Sequence, residues 1–122
     1  MHYSSGISQE ELYDAVRGYW VASLKSIKNK KVKYVFGVYN SVIVAVYKPD
    51  EWHYGREMVD VPQKSILTAE DYKRLENRVY FVCKNHSELD EEGMFYLNKS
   101  IKNLWTGKFL KMVMMRIFLH FL

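Results

Sequence analysis

Cysteine is nearly missing from this chain. Its single Cys83 has no partner for an internal disulfide, which excludes a disulfide-stapled scaffold and suits a reducing, cytoplasmic setting. Proline and glycine are scarce, two and six residues among 122, which excludes collagen-like and linker-like chains. No stretch of about 18 uncharged apolar residues occurs, so no membrane span is expected, and membrane association is not expected either. Residues 1–12 carry no apolar run behind basic residues, so no signal peptide is expected. Also absent are G-x-x-x-x-G-K followed by Ser or Thr, G-x-G-x-x-G, H-E-x-x-H and C-x-x-C. These absences argue against a P-loop NTPase, a simple Rossmann enzyme and structural zinc. No cofactor, metal site or catalytic residue is assigned.

What is present is aromatic and basic. Ten Tyr, six Phe and three Trp make up 16% of a chain that is 48% apolar, enough for one core and one domain. The net charge of +4 conceals segregation. Residues 25–48 hold Lys25, Lys28, Lys30, Lys31, Lys33 and Lys48 with no acid, and residues 99–122 hold five bases with no acid. Residues 49–98 carry eleven acids against six bases. Two basic blocks bracketing an acidic middle can attract a polyanion, because phosphates neutralised by Lys and Arg release counterions. The same pattern also arises when basic and acidic faces simply pair with each other or with solvent.

Ser8-Gln9-Glu10-Glu11 reads as a capping box opening a short helix with Leu12, Ala15 and Val16 inward, ended by Gly18. Residues 19–24 are short and aromatic and favour a strand, and residues 25–31 a lysine-rich loop. The clearest unit is a hairpin. Residues 32–39 (VKYVFGVY) and 42–47 (VIVAVY) are rich in β-branched and aromatic side chains, and Asn40-Ser41 between them suits a two-residue turn. Both faces are apolar, so the hairpin is central in a barrel or covered by a helix. Trp52-His53-Tyr54-Gly55 reads as a turn or exposed loop, and residues 59–62 as at most a short edge strand. Thr68 to Asp71 opens a second helix with Tyr72 and Leu75 inward. Residues 78–84 (RVYFVCK) form another strand, and Ser87 to Asp90 caps a third helix weakened by Gly93. The expected fold class is α+β: a small bent antiparallel sheet or partly open β-barrel with short flanking helices. The domain is placed at residues 1–104, followed at 105–122 by an apolar C-terminal helix or extension.

The succession Arg17-Gly18-Tyr19-Trp20, residues 33–39, residues 42–47 with Trp52, residues 78–82 and then Leu97-Asn98-Lys99-Ser100-Ile101 resembles small PUA-like barrels, the superfamily that includes ASCH and EVE modules. The resemblance covers roughly residues 15–101. It implies binding of RNA or modified bases in an aromatic-lined cleft, with Trp20 and Trp52 as stacking residues. The lysine-rich loop, the acidic stretch and the apolar C-terminus have no counterpart in it.

The residues themselves give a similar reading. Bases stack on aromatic faces for about 1–3 kcal/mol each, and Arg both pairs with phosphate and stacks. The candidate ligand-binding residues are therefore Arg17, Trp20, Trp52, Tyr54 and Arg78. Lys25, Lys28, Lys30, Lys31 and Lys33 are the candidates for meeting phosphate. Tyr34, Phe36 and Phe81 are read as core. From 109 to 122, eleven of fourteen residues are apolar. This segment reads as a helix burying Phe109, Met112, Val113, Met115 and Phe118 in a core or subunit interface. A basic amphipathic helix on a membrane surface and an extension without a native role are its other readings. Cys83 with His86 could form a nucleophile pair, but a Cys within a strand more commonly packs inertly. His53 among Asp50, Glu51, Glu57 and Asp60 could do acid–base work, although loop acids are more often solvated.

Three functions follow. The first is a non-catalytic module binding nucleic acid or a nucleotide. The second is a protein-interaction or inhibitor module, homo-oligomeric through the C-terminal helix. The third is a small enzyme using His53 and nearby carboxylates, or a nuclease-like metal site.

Overall fold

A computed structural model describes residues 8–85, 88–103 and 113–118. The order is α1 (Gln9–Arg17), α2 (Leu24–Asn29), β1 (Tyr34–Tyr39), β2 (Val42–Tyr47), β3 (Glu51–Tyr54), α3 (Ala69–Leu75), β4 (Val79–Val82), α4 (Glu91–Tyr96) and β5 (Val113–Phe118). Strands β2, β1 and β5 form one sheet in that order, and β3 pairs with β4 in a second. The fold is α+β, and the described strands close no barrel.

The hairpin forms where the residue types put it. Asn40 and Ser41 both take positive φ, 50° and 63°, the left-handed pair that a two-residue turn between right-twisted strands requires. Pairing runs from Tyr39↔Val42 to Val35↔Tyr47, with a shift between Gly37 and Val38. Val44 is the extra residue, and it packs on the same side as Ala45. That is how a bulge turns one strand's alternation.

Both faces of β1 are covered. On one side Val35, Ala45 and Tyr47 meet Leu12, Tyr13 and Val16 of α1 together with Phe81. On the other, Tyr34, Phe36, Val38, Ile43 and Val46 meet Leu89, Tyr96, Leu97 and Ile101. Tyr34, Phe36 and Phe81 are core, as expected.

The C-terminal segment corrects the sequence reading. Residues 113–118 are not helical. They form β5, which runs parallel to β1 with all six residues in register, Tyr34↔Val113 to Tyr39↔Phe118. The larger sheet is therefore mixed and not antiparallel. A short apolar run has the same composition whether it is a buried helix or a strand covered on both faces. Here the unpaired edge of β1 decides. Met114 packs against the α1 side and Met115 against the α4 side, an alternation only a strand produces. Of the expected interface residues, Met115 is thus a core contact. Val113 and Phe118 lie in β5, and Phe109 and Met112 lie outside the described residues.

The N-terminal third holds two further corrections. Residues 19–24 are not a strand. Trp20 alone exchanges two backbone hydrogen bonds with Val79, at 2.7 and 3.0 Å. The lysine-rich run is not a loop either. Ser23 Oγ accepts from Ser26 N–H at 3.1 Å and opens α2, whose Ile27 is buried. Lysine is a good helix former, so a cap and one apolar anchor suffice. Helix α1 begins as expected, with Ser8 Oγ accepting from Glu11 N–H at 3.1 Å. Gly18 ends it in extended conformation, and a Cβ there would lie 2.7 Å from Pro62 Cβ. Close approach, not left-handed backbone, is what glycine serves there.

Thr68 and Asp71 form the reciprocal capping box of α3, with bonds of 3.2 and 2.9 Å. Leu75 is buried. Helix α4 is capped by Asp90, whose carboxylate accepts from Gly93 N–H at 2.8 Å; Ser87 lies outside the described residues. Residues 51–54 are the strand β3 and not a loop, because β4 lies beside them as a pairing edge and gives Trp52 and Tyr54 the register partners Phe81 and Val79. Residues 59–62 form no strand; Asp60 and, beyond them, Gln63 take positive φ.

Candidate functional site

Strand β3 sets up the site. Its period of two places Trp52 and Tyr54 on one face, and α2 packs against that strand. The Tyr54 hydroxyl accepts from the Leu24 N–H at 3.3 Å, tying the start of α2 to the end of β3. Beyond Tyr54 the chain turns through residues 55–57. Glu57 holds this turn by accepting from Tyr54 N–H at 2.8 Å.

Across that turn lies the C-terminal end of α3. Gly55 N–H donates to Arg78 O at 2.8 Å. The Arg56 guanidinium sits 4.2 Å from the centre of the Tyr54 ring and donates to Asn77 Oδ1 at 2.9 Å. A cleft of about 560 Å³ opens here, lined by Tyr54, Arg56, Arg74, Asn77 and Arg78 and floored by residues 21–23. Arg74 is exposed and pairs with Asp71 at 3.2 Å. The Arg78 guanidinium has no hydrogen-bond or ion-pair partner among the described residues.

On the other flank of α2 a smaller cavity, about 330 Å³, is lined by Ile27, Lys28, Lys31, Val32, Pro49 and Trp52. Lys25, Lys28, Lys30 and Lys31 are exposed and pair with no carboxylate among the described residues. Helix α2 and the turn after it thus form a basic ridge, which adjoins the larger cleft through residues 21–23 and lines the smaller one with Lys28 and Lys31, each cleft having one aromatic side chain from β3.

The expected residues divide accordingly. Tyr54 and Arg78 share the larger cleft, while Trp52 shares the smaller one with two of the lysines. Arg17 and Trp20 do not join them. Arg17 is 5% exposed, pairs with Asp14 at 3.0 Å and donates to Asp60 O at 2.7 Å. It also lies 5.0 Å from the Tyr13 ring centre. Trp20 donates its indole N–H to Val16 O at 3.1 Å, and Arg116 covers its ring at 4.4 Å. Both serve the junction of α1 with the sheets. Lys33 is engaged elsewhere, 2.5 Å from Glu92.

Arg56, Arg74 and Asn77 were not foreseen. Arg74 lies in the last turn of α3 and Arg78 immediately before β4, and nothing local ties them to Tyr54. That link is the β3–β4 register.

The other candidate chemistry is thinner. Cys83 is buried, its thiol donates to Lys48 O at 3.2 Å, and burial pushes it up to about 12. Such a thiol is not ionised near neutrality. His86 lies outside the described residues. His53 Nδ1 lies 3.1 Å from Glu57 and its Nε2 lies 3.9 Å from Glu51. Asp50 and Asp60 turn elsewhere, Asp50 accepting from Lys84 N–H and Asp60 pairing with Arg17. Among the described residues no three His, Cys, Asp or Glu are grouped to hold a metal ion, and no helix is long and apolar enough to cross a membrane.

No protein-family model, curated protein or solved structure matches this chain significantly.

Proposed function

We propose that this protein is a non-catalytic binding module for nucleic acid or a nucleotide, using the basic ridge of α2 and the cleft beside it. The observation that carries the reading is Arg56 lying over the ring of Tyr54 in a cleft that also holds Arg74 and Arg78. Asn77 and the ring hold the Arg56 guanidinium in place from two sides. Its remaining plane is a stacking surface for an unpaired base, since guanidinium planes serve as well as aromatic rings for that purpose. Arg74 and Arg78 then meet phosphate, and Lys25, Lys28, Lys30 and Lys31 extend the track along α2. Trp52 offers a second π-face at the far flank of the ridge. Splayed single strands fit such an arrangement better than a duplex, whose bases are stacked away from side chains.

The test is fluorescence anisotropy with short single- and double-stranded oligonucleotides across a salt series. If the four lysines with Arg74 and Arg78 meet phosphate, the log–log salt slope for a single strand is about −4. Affinity then falls by about 300-fold between 50 and 200 mM salt. Replacing Arg74 and Arg78 by Gln brings the slope to about −3. Absence of binding at 50 mM salt, or a slope near zero, refutes the reading.

A further inference from the structure

A third cavity, of about 410 Å³, shares Arg74 and Arg78 with the main cleft; Arg116 of β5 lines this one as well. We propose that this cavity takes a terminal phosphate monoester, so that the ligand of this surface is one with a phosphorylated end. The proposal rests on the nucleic-acid or nucleotide reading of the main cleft and adds which part of the ligand is recognised.

Charge is the first argument. Three arginines line the cavity against one acidic residue, Asp71, an excess of two positive charges. A phosphate monoester carries close to two negative charges at neutral pH, whereas a backbone diester carries one. Asp71 is already committed. It accepts from Thr68 N–H in the capping box and from Arg74, and these bonds hold its carboxyl below the usual range.

Arg116 is the second argument. It is largely enclosed, and among the described residues it has no carboxylate partner. Its Nη1 donates to Ala15 O at 2.9 Å and to Gly18 O, and its guanidinium lies over Trp20. These partners are neutral and engage one nitrogen, leaving Nε and Nη2 with no acceptor among the described residues. A cation taken from water is most stable with a hydrogen-bonded anion beside it. A phosphate oxygen in this cavity supplies one.

Continuity is the third. Arg74 and Arg78 line both the main cleft and this cavity, so a ligand stacked on Arg56 reaches it past them.

The experiment compares one single-stranded sequence bearing a 5′ phosphate, a 3′ phosphate or hydroxyls at both ends, by anisotropy at constant salt. AMP, adenosine and inorganic phosphate serve as unlabelled competitors. One phosphorylated end is expected to bind roughly tenfold or more tighter than the unphosphorylated strand, the effect of adding charge-assisted hydrogen bonds. In Arg74→Gln/Arg78→Gln, changing one exposed and one half-buried side chain, that preference is expected to vanish while residual salt-dependent binding through α2 persists, the fold being checked by circular dichroism. Displacement by AMP but not by adenosine also supports the proposal and identifies a free nucleotide as the source of the phosphate. Equal affinity for all three strands, with normal salt dependence, overturns the end-recognition proposal and leaves the binding surface standing. No binding of any strand or nucleotide overturns both.

Discussion

Gly55 sits where β3 passes over the end of α3, and replacing it with alanine tests how that junction builds the cleft. A Cβ on Gly55 would lie 2.3 Å from Leu75 O, 3.1 Å from Leu75 C and 3.4 Å from Glu76 Cα. All three are backbone atoms at a helix end, so no side chain can swing aside. Restoring ordinary contact moves the two segments apart by about 1 Å, and overpacking of that kind costs about 1–3 kcal/mol. The same shift strains the Gly55 N–H to Arg78 O bond and separates Arg56 from Arg74 and Arg78. With a urea m value near 2 kcal/mol/M, the midpoint of unfolding falls by about 0.5–1.5 M at unchanged m. Gly93→Ala is the control. Its Cβ would meet side-chain atoms at 3.1 and 3.2 Å, and a helical Gly-to-Ala change returns up to about 1 kcal/mol. That variant is expected to stay within about 1 kcal/mol of the parent. Urea titrations followed by circular dichroism measure both. If Gly55→Ala unfolds at the parent's midpoint, or Gly93→Ala is the more damaging change, the close-approach argument fails.

Two further predictions concern the sheet and its covering helix. Deleting residues 113–122 removes β5 and bares the edge of β1, the central strand. A loss of several degrees or more in thermal midpoint is expected by circular dichroism, and an unchanged melt refutes the structural role of β5. The Asp90 carboxylate accepts from Gly93 N–H and from the Tyr34 hydroxyl at 2.7 and 2.9 Å, with Lys48 at 3.3 Å. These partners hold it down to about 2 from an ordinary 3.8. The unfolded chain takes up the proton first, so the stability from this group is present above pH 4 and is lost as pH falls through 2. Asp90→Asn keeps a good N-cap but removes the charge. Its urea midpoint is expected to change less between pH 5 and 2 than the parent's, and identical pH profiles refute the assignment.

Local chemistry placed the hairpin because Asn40 and Ser41 accept left-handed backbone and both flanking runs are β-formers. It placed the starts of α1 and α3 because Ser8, Thr68 and Asp71 bond to their own neighbours. Tyr54 and Arg78 were legible as an aromatic and a cation at element ends. Trp20 and Arg17 were equally legible, yet they are occupied by Val16, Asp14 and Asp60. No sequence pattern distinguishes an Arg awaiting a ligand from one already paired across 43 residues with Asp60 O. The lysine run misled for a related reason: its helix depends on Ser23, two residues before the segment where the charges draw attention.

By itself the sequence determined the α+β class, the hairpin, the helix caps and two basic blocks, all of which follow from interactions within a few residues. Tertiary structure alone decided three things. It made residues 113–118 a parallel strand, because a short apolar run takes its conformation from the edge it meets. It buried Arg17 against Asp60 and set Trp20 between Val79 and Arg116, because those partners lie elsewhere along the chain. It also put Tyr54, Arg56, Arg74 and Arg78 around one cleft, because the antiparallel register of β3 on β4 joins chain segments some twenty residues apart.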